Sequence, residues 1–358
     1  MSLLSSKFSR ASALIVLYGI LASSGCNLVK TDRQTAKLLK TEDTTQAELL
    51  KEVNRFAKVT SLHAKIDIKF EDNSFAVLGT KEVYRNAPGD LTVQRPGKIW
   101  LKVQIPLLNS DLAQMTSDGE TFRLALIHGD ADGNNKKFIK GTNGSDYSKL
   151  ERKLDPTMLG DSKKAKDSVN AFKEIRPQHL TDAMLVRPTA DTNVYTESTI
   201  FQIEEDHSLD KKSPVRSVMR GYYLLDEFAK QGDGDLKIAR RFWFDRVGGI
   251  RLARQQLFDA TGEIESDIIY GKQGNLADNP EYANLPLQVT VTRPREHYAL
   301  TISYQTPETV MIGNVFPDAA FVLQNTWNLE EIDLDKKLRE AANQPEPTAN
   351  SKAINKFH

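Results

Sequence analysis

Hydrolytic chemistry needs a nucleophile, a base beside it and a group that orients the base, and this sequence offers no such trio in a recognisable pattern. No Gly-x-Ser-x-Gly elbow occurs, and the single cysteine, Cys26, ends a leading apolar segment. The histidines, at 63, 128, 179, 207, 297 and 358, show no His-x-x-x-His spacing, so no metal site is expected. Asp130-Ala131-Asp132-Gly133-Asn134-Asn135 alternates oxygens as a calcium loop does. It lacks glycine at the sixth place and the later glutamate, and reads as a solvated loop ahead of a calcium site. Gly232-Asp233-Gly234-Asp235 reads as an acidic turn between strands. Phe242-Trp243-Phe244 beside Arg240 and Arg241 could stack on bases, yet 48 basic and 48 acidic side chains cancel, leaving no field to draw nucleic acid. Catalysis, a resident cofactor and nucleic-acid binding are therefore not expected. What remains is the chemistry of Cys26 and of apolar surfaces.

Lys7 and Arg10 precede an apolar stretch, Ala11 to Leu21, that is too short to span a bilayer, the pattern of an export signal. Leu21-Ala22-Ser23-Ser24-Gly25-Cys26 then sets small residues ahead of the only thiol. This resembles a lipobox, whose cysteine becomes an acylated first residue bearing chains such as palmitate. Ser23 stands where such boxes usually carry leucine. Residues 1–25 are thus expected to be a signal peptide and Cys26 the lipid attachment site. One cysteine leaves no intramolecular disulfide. Past the signal no apolar run reaches spanning length, so lipid alone would hold a soluble body to the membrane.

Residues 26–45 are polar and lysine-rich, as a tether requires. Leu49, Val53, Phe56 and Ala57 then recur at helical spacing behind a Thr45/Glu48 capping box, predicting an amphipathic helix to about Thr60. Leu62, Ala64, Ile66, Ile68 and Phe70 alternate with His63, Lys65, Asp67 and Lys69, the period of a half-buried strand. The alternation returns at Leu91 and Val93, at Ile99 to Ile105, and at Phe122 to Leu126 after the Asp118-Gly119 turn, which predicts an antiparallel meander with one apolar face. A second strand-rich block begins near Val218 and takes in 240–245, 250–258, 264–270, 287–291 and 298–304, with turns at Gly248-Gly249 and Thr261-Gly262. Between the blocks, His128 to Ser148 reads as a loop and Tyr147 to about Val186 as mainly helical, with Pro177 opening a short helix that carries Leu180, Met184 and Leu185. The expected body is residues 46–336 with a helical and loop insertion at about 128–200, followed by a disordered tail, 337–358.

The order of helix, alternating strands, helical insertion and alternating strands resembles the outer-membrane lipoprotein carrier superfamily, the LolA- and LolB-like proteins. Val59-Thr60-Ser61-Leu62-His63-Ala64 is similar to that family's helix-to-strand junction, and Leu91-Thr92-Val93-Gln94-Arg95-Pro96 to its strand ending in Arg-Pro. Ile105-Pro106, Ser117-Asp118-Gly119-Glu120-Thr121, Phe242-Trp243-Phe244-Asp245, Arg251-Leu252-Ala253 and Phe258-Asp259-Ala260-Thr261-Gly262 follow in the same order. The match covers roughly Gln46 to Asp335 outside the central region.

The resemblance implies an α+β fold, an incomplete antiparallel β-barrel whose curved sheet has helices covering a concave apolar face. That face would receive acyl chains or lipidated proteins, with Ile66, Ile68, Phe70, Leu101, Val103, Phe122 and Leu124 lining a trough. Arg95 matches an arginine that helps hold the lid shut across the barrel mouth. The implied setting is lipoprotein sorting or lipid trafficking. Asn27, not aspartate, follows the cysteine, which points to the periplasmic face of the outer membrane. The alternative is an envelope sensor or assembly factor that uses the same fold to bind a protein partner.

Overall fold

The computed structural model describes residues 35–72, 82–83, 86–106, 108, 110–128, 136–145, 147, 176–207, 209–213, 215–232, 234–277 and 279–343. The signal segment, Cys26, most of the tether, the Asp130–Asn135 loop, residues 148–175 and the tail beyond 343 lie outside the described residues. The chain divides into two compact units, one of Met1–Leu38 with Ile203–Met219, the other of Leu39–Gln202 with Arg220–His358.

Helix α1 spans Gln46–Ala57, and its N-cap Thr45 accepts from the Glu48 N–H, one of the donors a helix start leaves unpaired. Leu49, Val53 and Phe56 form its buried stripe. The helix stops short of Thr60 because the sheet recruits that residue: the Arg95 N–H donates to the Thr60 carbonyl at 2.9 Å. Strands follow at β1 (Lys37–Leu38), β2 (Ser61–Asp72), β3 (Glu82–Val83), β4 (Ala87–Gln94), β5 (Lys98–Gln104), β6 (Asp111–Asp118), β7 (Thr121–Leu126) and β8 (Lys137–Thr142). Helix α2 (Pro177–Met184) precedes β9 (Val194–Glu205), β10 (Ser217–Lys230), β11 (Leu236–Asp245), β12 (Arg251–Phe258), β13 (Ile264–Gly274), β14 (Leu285–Arg293) and β15 (Tyr298–Tyr304). The chain continues through β16 (Met311–Ile312), β17 (Glu330–Asp333) and helix α3 (Leu334–Asn343).

Neighbours from β10 through β15, then β2, β4 and on to β8, are antiparallel, and β17 adds beside β8 in parallel. The two strand-rich blocks are joined through β15 and β2, where Ile302 faces Ile68 and Leu300 faces Phe70. No pairing among the described residues joins β9 to β17, so the curved sheet stays open and the fold is an incomplete β-barrel. Bulges at Val103/Gln104, Glu227/Phe228, Trp243/Phe244 and Leu257/Phe258 add twist that helps the sheet curl. Gly89 permits close approach of β4 and β5, since a Cβ there would lie 2.4 Å from the Lys102 carbonyl oxygen.

Several local expectations are corrected. Strand β8 lies inside the segment read as a loop, because Phe138 and Ile139 are buried there. Strands β6 and β9 were hidden by weak apolar alternation: β6 buries Thr116 and Ser117 beside Met115, and β9 is mostly exposed. Of the segment read as mainly helical, 148–175 lies outside the described residues, and the helix expected to open at Pro177 is present as Pro177–Met184. Helix α3 runs to Asn343, seven residues into the expected tail, with Leu334, Leu338 and Ala341 against the core. Residues 311–323 strap the outer face of the sheet. The Phe316 N–H donates to Gln94 Oε1 at 2.7 Å, Ser61 Oγ donates to the Asn314 carbonyl at 2.6 Å, and the Leu323 N–H donates to Thr116 Oγ1 at 3.0 Å.

Candidate functional site

Register lays the inner face out in rows. One row runs Ala64, Leu91, Leu101, Met115, Leu124, Ile139 across six strands, apolar throughout and buried. Beside it run Ile66, Gly89, Val103, Ala113 and Leu126, and on the other side Leu62, Val93, Ile99, Ser117 and Phe122. The structure thus brings Ile66, Leu101, Val103, Phe122 and Leu124 onto one wall. Ile68 and Phe70 share the face but sit at the junction with β15, where Phe70 stacks on Tyr298 at 5.5 Å between centroids. All seven belong to one buried apolar cluster.

The facing wall, β10 to β15, is mixed. Leu225, Phe242, Gln255, Ile268, Val291 and Leu300 form an inward row, with the Gln255 Oε1 buried and lacking a hydrogen-bond partner among the described residues. The next row is Glu227, Arg240, Leu257 and Ser266. Arg240 and Glu227 form an ion pair with side chains 5% and 3% exposed. Arg293 donates to Ser266 Oγ at 2.7 Å and to Glu296.

Two helices cover this interior. Helix α2 starts at Pro177, whose missing N–H costs nothing at a helix start, and buries Leu180, Ala183 and Met184 against β4, β5, β6 and β14. Its His179 Nδ1 lies 2.9 Å from the Tyr298 hydroxyl. Burial, then the nearby Arg293 and Arg176, holds the His179 pKa well below the usual imidazole range. Tyr270 donates to the Ala183 carbonyl at 3.3 Å and touches Phe56 of α1 at 5.5 Å between centroids; burial pushes its phenol up. Side chains of both helices therefore share one buried apolar cluster with the wall. Phe122 lies at the edge, under the Arg176 guanidinium and against Tyr147.

The segment leaving α2 is tied down by polar groups. Arg95 donates to the Ala57 carbonyl at the end of α1 and to the Val186 carbonyl just past α2. Arg240 donates to the next two carbonyls, Arg187 at 2.7 Å and Pro188 at 2.9 Å. Asn54 of α1 completes the join, accepting from the Thr189 N–H at 3.0 Å and donating to its hydroxyl at 2.8 Å. Burial, with repulsion from Arg187 and Arg240, lowers the Arg95 pKa, and its Nε is buried with no partner among the described residues.

Sequence reading singled out Arg95 but missed the roles of Glu227, Arg240 and Asn54. A signal existed: Arg240 falls on the inward phase of Phe242 and Phe244, and Glu227 on that of Tyr223 and Leu225, where a charge demands a partner. No metal-holding cluster of histidine, cysteine or acidic residues is found among the described residues, and no described helix is long and apolar enough to cross a membrane.

No family model and no curated protein matches the chain. Among solved structures it is similar to a LolA superfamily protein from Nitrosomonas europaea, at 10% identity over 78% of this chain and 99% of that one, TM-score 0.36. A DUF1329 family protein from Desulfovibrio piger aligns at 11% identity over 81% and 100%, TM-score 0.37. An outer-membrane lipoprotein-sorting protein domain from Vibrio parahaemolyticus aligns at 10% over 76% and 94%, TM-score 0.34.

Proposed function

We propose that this chain is a lipid-anchored envelope protein, held through Cys26 at the periplasmic face of the outer membrane, whose helix-covered interior receives acyl chains of lipids or lipidated proteins in lipoprotein sorting or lipid trafficking. The observation that carries this reading is how the cover is fastened. One side chain, Arg95, spans the ends of both covering helices through backbone carbonyls, so the cover is tied at its ends by a few hydrogen bonds. Water can replace such bonds, so the fastening is reversible. Behind it lies a wall whose central row, Ala64 to Ile139, is apolar throughout. An acyl chain offers no directional chemistry and needs area: at about 25 cal/mol per Å², a few tens of methylenes supply ample affinity without a charged anchor. A standing trough open to water would expose a large apolar patch, so the helices fill it when no ligand is present.

Mass spectrometry of lipids co-purified from the native membrane tests the reading. Bound acylated species are expected; a stoichiometric protein partner with no lipid would replace it with an assembly or sensing role. For the anchor, Cys26→Ala should move the protein from membrane to soluble fractions, and unchanged fractionation would refute lipid attachment at Cys26.

A further inference from the structure

We infer that the outward face of the smaller unit, built from β1 and the adjoining end of the β9–β10 hairpin, is a membrane-docking surface that dips its apolar side chains into the lipid. This rests on reading Cys26 as acylated. The hairpin closes where the Asp206 N–H donates to the Arg216 carbonyl at 2.8 Å. Three residues back on each strand the same ladder sets Ile203 opposite Met219, and Met219 pairs on its other side with Leu38. Leu38, Met219 and Ile203 therefore form a row on one face, with Leu38 61% and Ile203 68% exposed. Val218, on the opposite face, is 2% exposed, so the strands have a buried side and have turned the apolar row outward. Leu209 and Val215 in the hairpin loop are also exposed. Four of the ten exposed large hydrophobic side chains among the described residues fall in this small unit, a density that marks an interaction surface rather than scattered exposure.

The occupant follows from where the chain leads. Lys37 lies eleven residues after Cys26, a span of at most about 40 Å when fully extended. An acyl group in the bilayer therefore keeps β1 within reach of the headgroups. Lys37, Lys211 and Lys212 are exposed and long enough to lay their stems on the boundary with ammonium groups in water. Arg216 is engaged by Glu205 and His207, each at 3.0 Å. Glu204, Asp206 and Asp210 offset the lysines, so apolar insertion rather than anionic-lipid attraction drives the contact, and raising the salt concentration should leave it in place.

The test uses the full acylated chain with single cysteines, Ile203→Cys, Leu209→Cys, Val215→Cys and, as a control in the larger unit, Val315→Cys, each labelled with an environment-sensitive fluorophore. Vesicles of phosphatidylethanolamine and phosphatidylglycerol carrying a doxyl-labelled lipid are added to saturation. Labels at 203, 209 and 215 should shift to the blue and be quenched several-fold more than at 315. Equal quenching at all four sites overturns the proposal, as does a blue shift that grows with protein concentration without vesicles, which would assign the face to a second copy of the chain. The mass of the same samples reports acylation at Cys26 separately. If no acyl group is found, the labels are read in a Cys26→Ser background, where quenching at saturating lipid supports the docking face and its absence overturns it.

Discussion

The two walls of the larger unit differ in what they bury. From β2 to β8 the central inward row is apolar from Ala64 to Ile139, while from β10 to β15 the inward rows take in Glu227, Arg240, Gln255, Ser266 and Arg293. The rows of the first wall give a covering helix area, with Arg95 just past β4 donating to carbonyls at the helix ends; the second adds Arg240, paired with the buried Glu227, which donates to the next two carbonyls past α2. If the cover lifts to admit an acyl chain, as proposed, it needs one sliding contact and one fixed one. The apolar wall is suited to the first role and the charged wall to the second.

Breaking the apolar wall should have the largest effect. Leu101 is 2% exposed in the middle of its row, and Leu101→Glu would bury an unpaired carboxylate, with an expected loss of several kcal/mol in thermal or denaturant unfolding. If the mutant stays near wild-type stability but loses binding of a fluorescent fatty acid, the wall opens to water during function. If it is stable and binds normally, Leu101 does not line the ligand site.

Next comes the charged wall. Glu227→Ala leaves Arg240 buried without its carboxylate and should cost about 3–5 kcal/mol. The double change Glu227→Leu, Arg240→Met should recover most of that stability while freeing the 187–188 segment, which hydrogen exchange at the following amides would register. Full protection of that segment in the double mutant would show that Arg240 is not what fixes it.

The Arg95 fastening should be worth less, since it joins rather than fills. Arg95→Leu is expected to lower stability by about 2 kcal/mol, the scale of hydrogen bonds from a charged donor, and to speed acyl exchange. Slower exchange, or none, would remove Arg95 from the cover's control.

The smallest effect is a pH dependence at His179. Its folded pKa is depressed by burial, so in the window below about 6.5 the unfolded chain binds the proton that the folded chain refuses. Stability should therefore fall as pH drops from 6.5 toward the folded pKa, by up to about 1.4 kcal/mol per unit. His179→Gln should flatten the melting temperature between pH 7 and 5; an unchanged slope would place the titrating group elsewhere.

Local pattern made much of this legible. Strict alternation in 62–70 and 99–105 gave strands β2 and β5 because each has one wet face, and the Thr45 cap and Pro177 marked both covering helices. Strand β6 was illegible because its buried face includes Thr116 and Ser117, and β8 because Phe138 and Ile139 are adjacent rather than alternating. The tail helix was missed because its Leu334, Leu338 and Ala341 stripe reads as polar sequence until β17 sets it beside β8.

By itself the sequence determined the period and apolar phase of elements such as α1, β2 and β5, since these depend only on neighbours a few residues apart. The tertiary structure alone decided that β15 pairs with β2, more than two hundred residues earlier, and that Arg240 meets Glu227 and the carbonyls of Arg187 and Pro188. Which charge is buried with which partner depends on register across many strands. That register is set by the summed packing of both walls and by the twist each bulge adds, quantities that no single stretch of sequence contains.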